Sequence, residues 1–362
     1  MKFEILQEEF FKGLSFVGRA IASRVQLPIL STILIQAKKD GIYLAATDLE
    51  LSLRTKIFGK VTEEGIVAVP ARTLLDLVGA SAQGKMWVAL NKETLVLTAP
   101  GYSGKIQTVA AEEFPQLPVI PVEGGYTLSV ADLVAASDKT VYASAKDLLR
   151  PVLTGVYLER VAGGLKLVAT DGFRLAVVKV KGKLEEKGGN YLVPARVIAE
   201  AARVEAEEIR IVPISENQVG FVGGETMIAT QTIDGTFPDY DKIVPAEFVT
   251  SVEVSREELL SAVKTVHIFA RDNSNMVKWN VTAEGITLSA AAPERGEATA
   301  EVVASVDGDG GEIVFNAKFV IDFLQNSSAE TVLFQMNDNL KPGAFAEKGN
   351  ENYLYIVMPI NA

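Results

Sequence analysis

Two aspartates stand where carboxylate chemistry could begin. Asp48 and Asp171 each follow a threonine, in IYLAATDLELSLRTKI (42–57) and LKLVATDGFRLAVVKV (165–180). Paired carboxylates are the minimum equipment for general acid–base hydrolysis without a metal. Aspartate also accepts hydrogen bonds from turn backbone just ahead of it, and a Thr-Asp that recurs after 123 residues reads as a turn former. Other chemistry is sparse. His267 is the only histidine and cysteine is absent, which excludes thiolate nucleophiles, disulfide frameworks and His/Cys metal clusters. No G-x-x-x-x-G-K-[ST] is present, so no ATP motor is expected. Asp307-Gly308-Asp309-Gly310-Gly311 opens like a calcium loop, but the twelfth position from Asp307 is Lys318 rather than glutamate. It reads instead as a hairpin turn. The expectation is a protein without catalytic residues, metal or cofactor.

The spacing that argues against catalysis runs through the whole chain. VPARTLLDLV at 69–78, VPARVIAEAA at 193–202 and FNAKFVIDFL at 315–324 share one form: apolar, Pro or Asn, Ala, basic, then helical periodicity. Pro70, Pro194 and Asn316 are 124 and 122 residues apart. Phe114-Pro115 and Phe237-Pro238 keep the period, as do ILSTILIQA at 29–37 and VLTGVYLER at 152–160, with a degraded third copy of the Thr-Asp segment at 286–302. Such a period is too long for a solenoid repeat, so each copy is a domain. The expected boundaries are 1–121, 122–245 and 246–362, joined by the proline-containing QLPVIPVEGG and KIVPAEF.

Each copy should open with a helix: Leu6 to Ala22, Ala131 to Ala145 and Arg256 to Ala270. Ser255 with Glu258 is a capping-box signature. Alternating segments such as 165–169 and 173–180 should form strands. The VPAR-type helix and further strands follow, giving α+β domains with antiparallel sheets. At 48% hydrophobic and 22% charged residues, each domain can bury a core. No apolar run is long enough to span a membrane, and the acidic N-terminal segment MKFEILQEE is unlike a signal peptide, so the cytoplasm is expected. The net charge of −11 argues against ordinary, phosphate-driven DNA binding.

SRVQLPILS (23–31), ATDLEL (46–51), VPAR (69–72), RPVLTGV (150–156), LVATDGFRLA (167–176), TFPDYDKIVP (236–245), FNAKF (315–319) and YIVMPI (355–360) occur in order. With the threefold repeat, they make the chain resemble the bacterial DNA sliding clamps, the beta subunit of DNA polymerase III. The resemblance implies a head-to-tail homodimer: a ring of six similar domains with pseudo-sixfold symmetry, helices lining the hole and sheets outside. It implies duplex DNA, DNA polymerase III and other polymerases, the clamp loader and mismatch-repair proteins as partners. A second clamp copy, specialised for resistance or repair, is the alternative. An acidic chain can serve because a ring holds DNA topologically, provided basic residues of the helices face the hole. Those include Lys12, Arg19, Lys139, Lys146, Arg203, Lys264, Arg271 and Lys318. By resemblance, Arg24, Arg72, Arg150 and Arg196 contact DNA. A partner-peptide groove takes Leu153, Thr170, Gly172, Phe173, Arg174, Leu175, Pro238, Ile243, Asn316, Phe319, Met358, Pro359 and Ile360. Phe173 and Phe319 stand where some members have His and Tyr. Ile106, Ile268 and Phe269 fall at the dimer interface. For the apolar residues among these, the plain alternative is core packing.

Overall fold

The computed structural model describes residues 1–21, 27–121, 124–185, 188–292 and 295–360. Arg24 and the terminal Asn361-Ala362 lie outside the described residues. Two compact units form: Met1–Val130 with Leu184–Gly188 and Arg203–Thr232, and Ala131–Lys183 with Gly189–Ala202 and Ile233–Ala362.

The α-helices are α1 (Gln7–Val17), α2 (Ala71–Ala80), α3 (Val130–Thr140), α4 (Ala195–Ala201), α5 (Arg256–Ala270) and α6 (Ala317–Asn326). α5 occupies the span expected for it, and its capping Ser255 Oγ accepts the Glu258 N–H at 3.4 Å. α1 and α3 stop short of expectation. Each tightens into a 3-10 turn, Gly18–Ala20 and Val141–Ala143, which shortens the regular helix. The order also differs: each repeat opens on a strand, Lys2–Leu6, Tyr126–Ser129 or Thr250–Ser255, before its helix. In the first, Phe3 and Ile5 are buried while Lys2 and Leu6 are exposed, a period of two that fits a strand.

Every recorded strand ladder is antiparallel. In the first unit one sheet runs Lys60–Glu63, Lys2–Leu6, Lys85–Asn91, Thr94–Ala99, Tyr102–Gln107. Another runs Tyr126–Ser129, Glu208–Ser215, Gln218–Gly223, Thr226–Gln231, Leu51–Ile57, Gly41–Thr47, Thr32–Lys38, Gly65–Pro70. The second unit's sheet runs Tyr191–Pro194, Gly155–Val161, Gly164–Thr170, Arg174–Lys181, Tyr353–Val357, Gly343–Glu347, Thr331–Met336, Thr250–Ser255, Gly296–Asp307, Gly285–Ala292, Met276–Thr282, Gly311–Asn316. In both units, then, a strand of one repeat pairs with a strand of the next: Leu51–Ile57 with Thr226–Gln231, and Arg174–Lys181 with Tyr353–Val357.

The imperfect alternation of 165–169 has a packing cause. Leu165 and Leu167 are buried, and so is Val168, which joins a cluster with Leu175, Phe237, Tyr240 and Ile356. The 307–311 segment is not the expected hairpin. The strands it joins do not pair: Gly296–Asp307 lies between Thr250–Ser255 and Gly285–Ala292, and Gly311–Asn316 pairs with Met276–Thr282. The crossover is tight enough to demand glycine, since a Cβ on Gly308 (φ +110°) would sit 2.2 Å from the Val249 carbonyl oxygen.

Candidate functional site

The two Thr-Asp turns share one construction. Asp48 Oδ1 accepts the N–H groups of Glu50 and Leu51 at 3.1 and 2.7 Å, and Asp171 Oδ1 accepts those of Phe173 and Arg174 at 2.9 and 3.1 Å. Thr47 and Thr170 hydroxyls accept the next-but-one N–H and donate to the carbonyls of Leu51 and Arg174. Both aspartates are therefore turn formers. The third residue of each turn is left-handed, Leu49 at φ 79° and Gly172 at φ 91°. At Gly172 a second reason for glycine applies. A Cβ would lie 2.8 Å from Arg150 Nη1, where the guanidinium rests and donates from Nη2 to the Asp171 carbonyl at 2.9 Å.

Arg174 anchors this turn from beneath. Its Nε donates to Asp171 Oδ2 at 3.0 Å, Nη1 to Asp322 Oδ2, and Nη2 to the Tyr142 carbonyl at 2.6 Å. The Phe319 ring lies 4.6 Å away. Burial works against its charge, but Tyr355, Asp322 and Asp171 outweigh burial and keep it protonated. With its donors committed to the protein, Arg174 shapes the surface rather than offering a free cation. Phe173, held on this turn, is 60% exposed.

Around Phe173 the other predicted residues sort by role. The Met358 N–H donates to the Phe173 carbonyl and that of Ile360 to the Val314 carbonyl, both at 2.8 Å, which lays 358–360 beside the turn and near Asn316. Gly172, Phe173, Pro238 and Ile243 are exposed; Asn316, Phe319, Met358, Pro359 and Ile360 are half-buried. Leu153, Thr170, Arg174 and Leu175 are buried beneath or beside them, and Leu175 shares the cluster of Phe237 and Tyr240. Asn316 has a structural duty, its Oδ1 accepting the Lys318 N–H at 3.0 Å to cap α6. The result is an apolar surface of adaptable side chains on a floor fixed by ion pairs and strand pairing.

Residues the sequence reading missed include Tyr142 and Asp322, which hold Arg174, and Tyr157, which stacks on Phe237 at 5.1 Å. A signal for Asp322 was present. Asp76, Glu200 and Asp322 occupy one position in the three VPAR-type helices.

The remaining expected residues fall elsewhere. Arg72 and Arg196 are exposed on α2 and α4. Lys139, expected to face a DNA hole, is half-buried and turned to a buried carboxylate: Nζ pairs with Glu347 Oε2 at 2.7 Å, with side-chain exposures of 12% and 4%. Ile106 is only 4% exposed, its side chain in the first unit's core, so what its strand presents outward is the backbone edge of Tyr102–Gln107. Ile268 is 52% exposed and Phe269 half-buried on α5. His267 is buried and hydrogen-bonds Asn275 Oδ1 at 2.8 Å.

The Lys139–Glu347 pair makes a stability prediction. Burial alone would push the Glu347 carboxyl up, but hydrogen bonds from Lys139, Asn350 and the Ser328 N–H outweigh it and hold it below the ordinary glutamate range. A lowered folded value stabilises the fold above the ordinary range, and that contribution is lost as pH falls through the folded value. Glu347→Gln strands Lys139 and should cost about 3–5 kcal/mol in urea unfolding at neutral pH. The gap from the unsubstituted protein should shrink below about pH 4. A gap constant with pH would refute the ion-pair origin.

A threefold α+β repeat bearing one apolar, preorganised surface, with its aspartates spent on turns, is the build of a docking protein. Models of the DNA polymerase III beta subunit match end to end: its N-terminal domain at 1–118, central domain at 127–239 and C-terminal domain at 241–361. The beta sliding clamp of Synechococcus elongatus is 30% identical over 372 residues, covering 99% of each chain. Two solved structures, each 28% identical, cover the whole of this chain. The beta subunit of Thermotoga maritima aligns over 99% of its own length with a TM-score of 0.92. The sliding clamp of Pseudomonas aeruginosa bound to griselimycin aligns over all of its length with a TM-score of 0.94. The chain belongs to the DNA polymerase III beta subunit family, the bacterial DNA sliding clamps.

Proposed function

We propose that two copies of this chain close head to tail into a ring that encircles duplex DNA and tethers polymerases to it, with no catalysis of its own. Each chain supplies three clamp domains, bounded near 121 and 245. The observation that carries this reading is the threefold repeat itself, with strands of successive repeats pairing side by side in both units. Three like domains per chain make a ring by a single twofold closure. Because Asp48 and Asp171 are occupied within their own turns, a metal-independent hydrolase built on that pair loses its carboxylates.

In this reading Arg24, Arg72 and Arg196 approach DNA from the hole, while Arg150, seated on the Gly172 turn, belongs to the groove. The groove around Phe173, Pro238, Ile243 and Met358 receives short partner peptides from polymerases, the clamp loader and mismatch-repair proteins. It binds them at the micromolar level that lets partners exchange, with the ring raising their local concentration. The cytoplasm is the compartment where such partners and DNA meet.

Light scattering at micromolar concentration should give twice the chain mass; a monomer would refute ring closure. Exposed Ile268 is a sounder interface probe than Ile106, whose buried side chain would report on folding. Ile268→Asp should shift the population to monomer, and an unchanged mass would remove Ile268 from the joint.

A further inference from the structure

The repeat places a counterpart of the groove within the first unit. There the Gln231 N–H donates to the Glu50 carbonyl at 3.0 Å, as the Met358 N–H does to the Phe173 carbonyl. Leu51 pairs with Thr230 as Arg174 pairs with Val357. The side chains on this copy differ, however. Ser52 and Arg54 stand at the repeat positions of Leu175 and Val177, and Ile120 at that of Ile243.

Two adjoining cavities open here. One of about 170 Å³ is lined by Ser52, Arg54, Leu117, Val119, Ile120 and Met227. The other, about 330 Å³, is lined by Leu34, Lys38, Tyr43, Arg54, Phe114 and Leu117. Arg54 and Leu117 form the wall they share. The half-buried Arg54 guanidinium stacks on the Tyr43 ring at 4.8 Å, with Lys38 Nζ 5.1 Å from the same ring. Asp40 is committed to the Tyr43 hydroxyl and to Lys56, at 3.1 Å. Among the described residues no carboxylate forms an ion pair with Arg54 or Lys38. A half-buried cation between a mainly apolar cavity and a mixed one that Gln36 and Gln116 also line, in a chain of net charge −11, calls for an anionic group flanked by apolar ones.

We propose that this face is a second docking site, taking an extended peptide whose carboxylate meets Arg54 and Lys38 while neighbouring apolar side chains fill the two cavities. The groove's apolar floor selects by shape, whereas this site selects acidic peptides by charge. Two sites of different preference on one chain would let two partners be held at once.

Methionine methyls read the two sites separately. Met227 lines the smaller cavity, Met358 lies in the groove, and Met86 is buried in the first unit's core as a folding control. The full chain, labelled with ¹³C-methyl methionine, is titrated with acetyl-Phe-Glu-Leu-Leu-amide. The Met227 methyl should shift saturably, whatever Met358 does. Replacing the peptide's Glu by Gln, or making Arg54→Gln or Arg54→Glu with Met86 unmoved, should weaken that response about tenfold. The proposal is overturned if Met227 stays still at millimolar peptide. It is likewise overturned if its response is indifferent to Arg54, or if an oligo-dT strand rather than the peptide moves it. Failure of the groove would appear at Met358 instead, so the two readings fail independently.

Discussion

Deleting residues 358–362 is expected to abolish peptide binding and polymerase stimulation together while leaving the protein folded and dimeric. The truncation removes Met358, Pro359 and Ile360 from the proposed groove, along with the hydrogen bonds from Met358 to Phe173 and from Ile360 to Val314. It leaves the strand Tyr353–Val357, whose pairing with Arg174–Lys181 and Gly343–Glu347 holds the floor. Three lost apolar side chains account for about 3 kcal/mol of binding, on the order of a hundredfold in affinity. That is enough to lift a micromolar interaction out of the working range. Fluorescence anisotropy with a labelled polymerase-derived peptide, and primer extension by the polymerase, should fail in parallel. Full stimulation by a folded truncation would place the partner site elsewhere.

Much of this site was legible because it is written twice. The Thr-Asp turn could be assigned from Asp48 and Asp171 alone, since the repeat gave two examples of one local hydrogen-bond pattern. α5 was legible to the residue, because a capping serine and unbroken periodicity both mark its start. What escaped were pairings over long sequence distance. Lys139 looks like a surface lysine until Glu347, 208 residues away, closes on it. Arg150 carried no sign that its guanidinium would lie on the Gly172 turn, because the glycine's second purpose exists only in three dimensions. The opening strands, which lie just ahead of the expected helices, escaped for a related reason. Four to six residues of alternation carry little weight beside an amphipathic run, and partner strands decide them. Ile106 shows the same limit from the other side: the resemblance puts it at the dimer interface, but the direction of one side chain on a strand depends on register.

The second large effect concerns DNA. Direct affinity should be weak and salt-sensitive, since the chain carries net charge −11 and phosphate contacts scale with exposed cations. Retention should nonetheless be long once the ring is closed, because escape then requires opening the joint between subunits rather than breaking phosphate contacts. Retention of the loaded protein on a nicked circular duplex, before and after the circle is cut once, separates these terms without altering the protein. On the intact circle the protein should co-elute with DNA through gel filtration at moderate salt, and a single cut should release it as it slides off the ends. Equal retention on circular and linear DNA would contradict topological holding and with it the proposed ring.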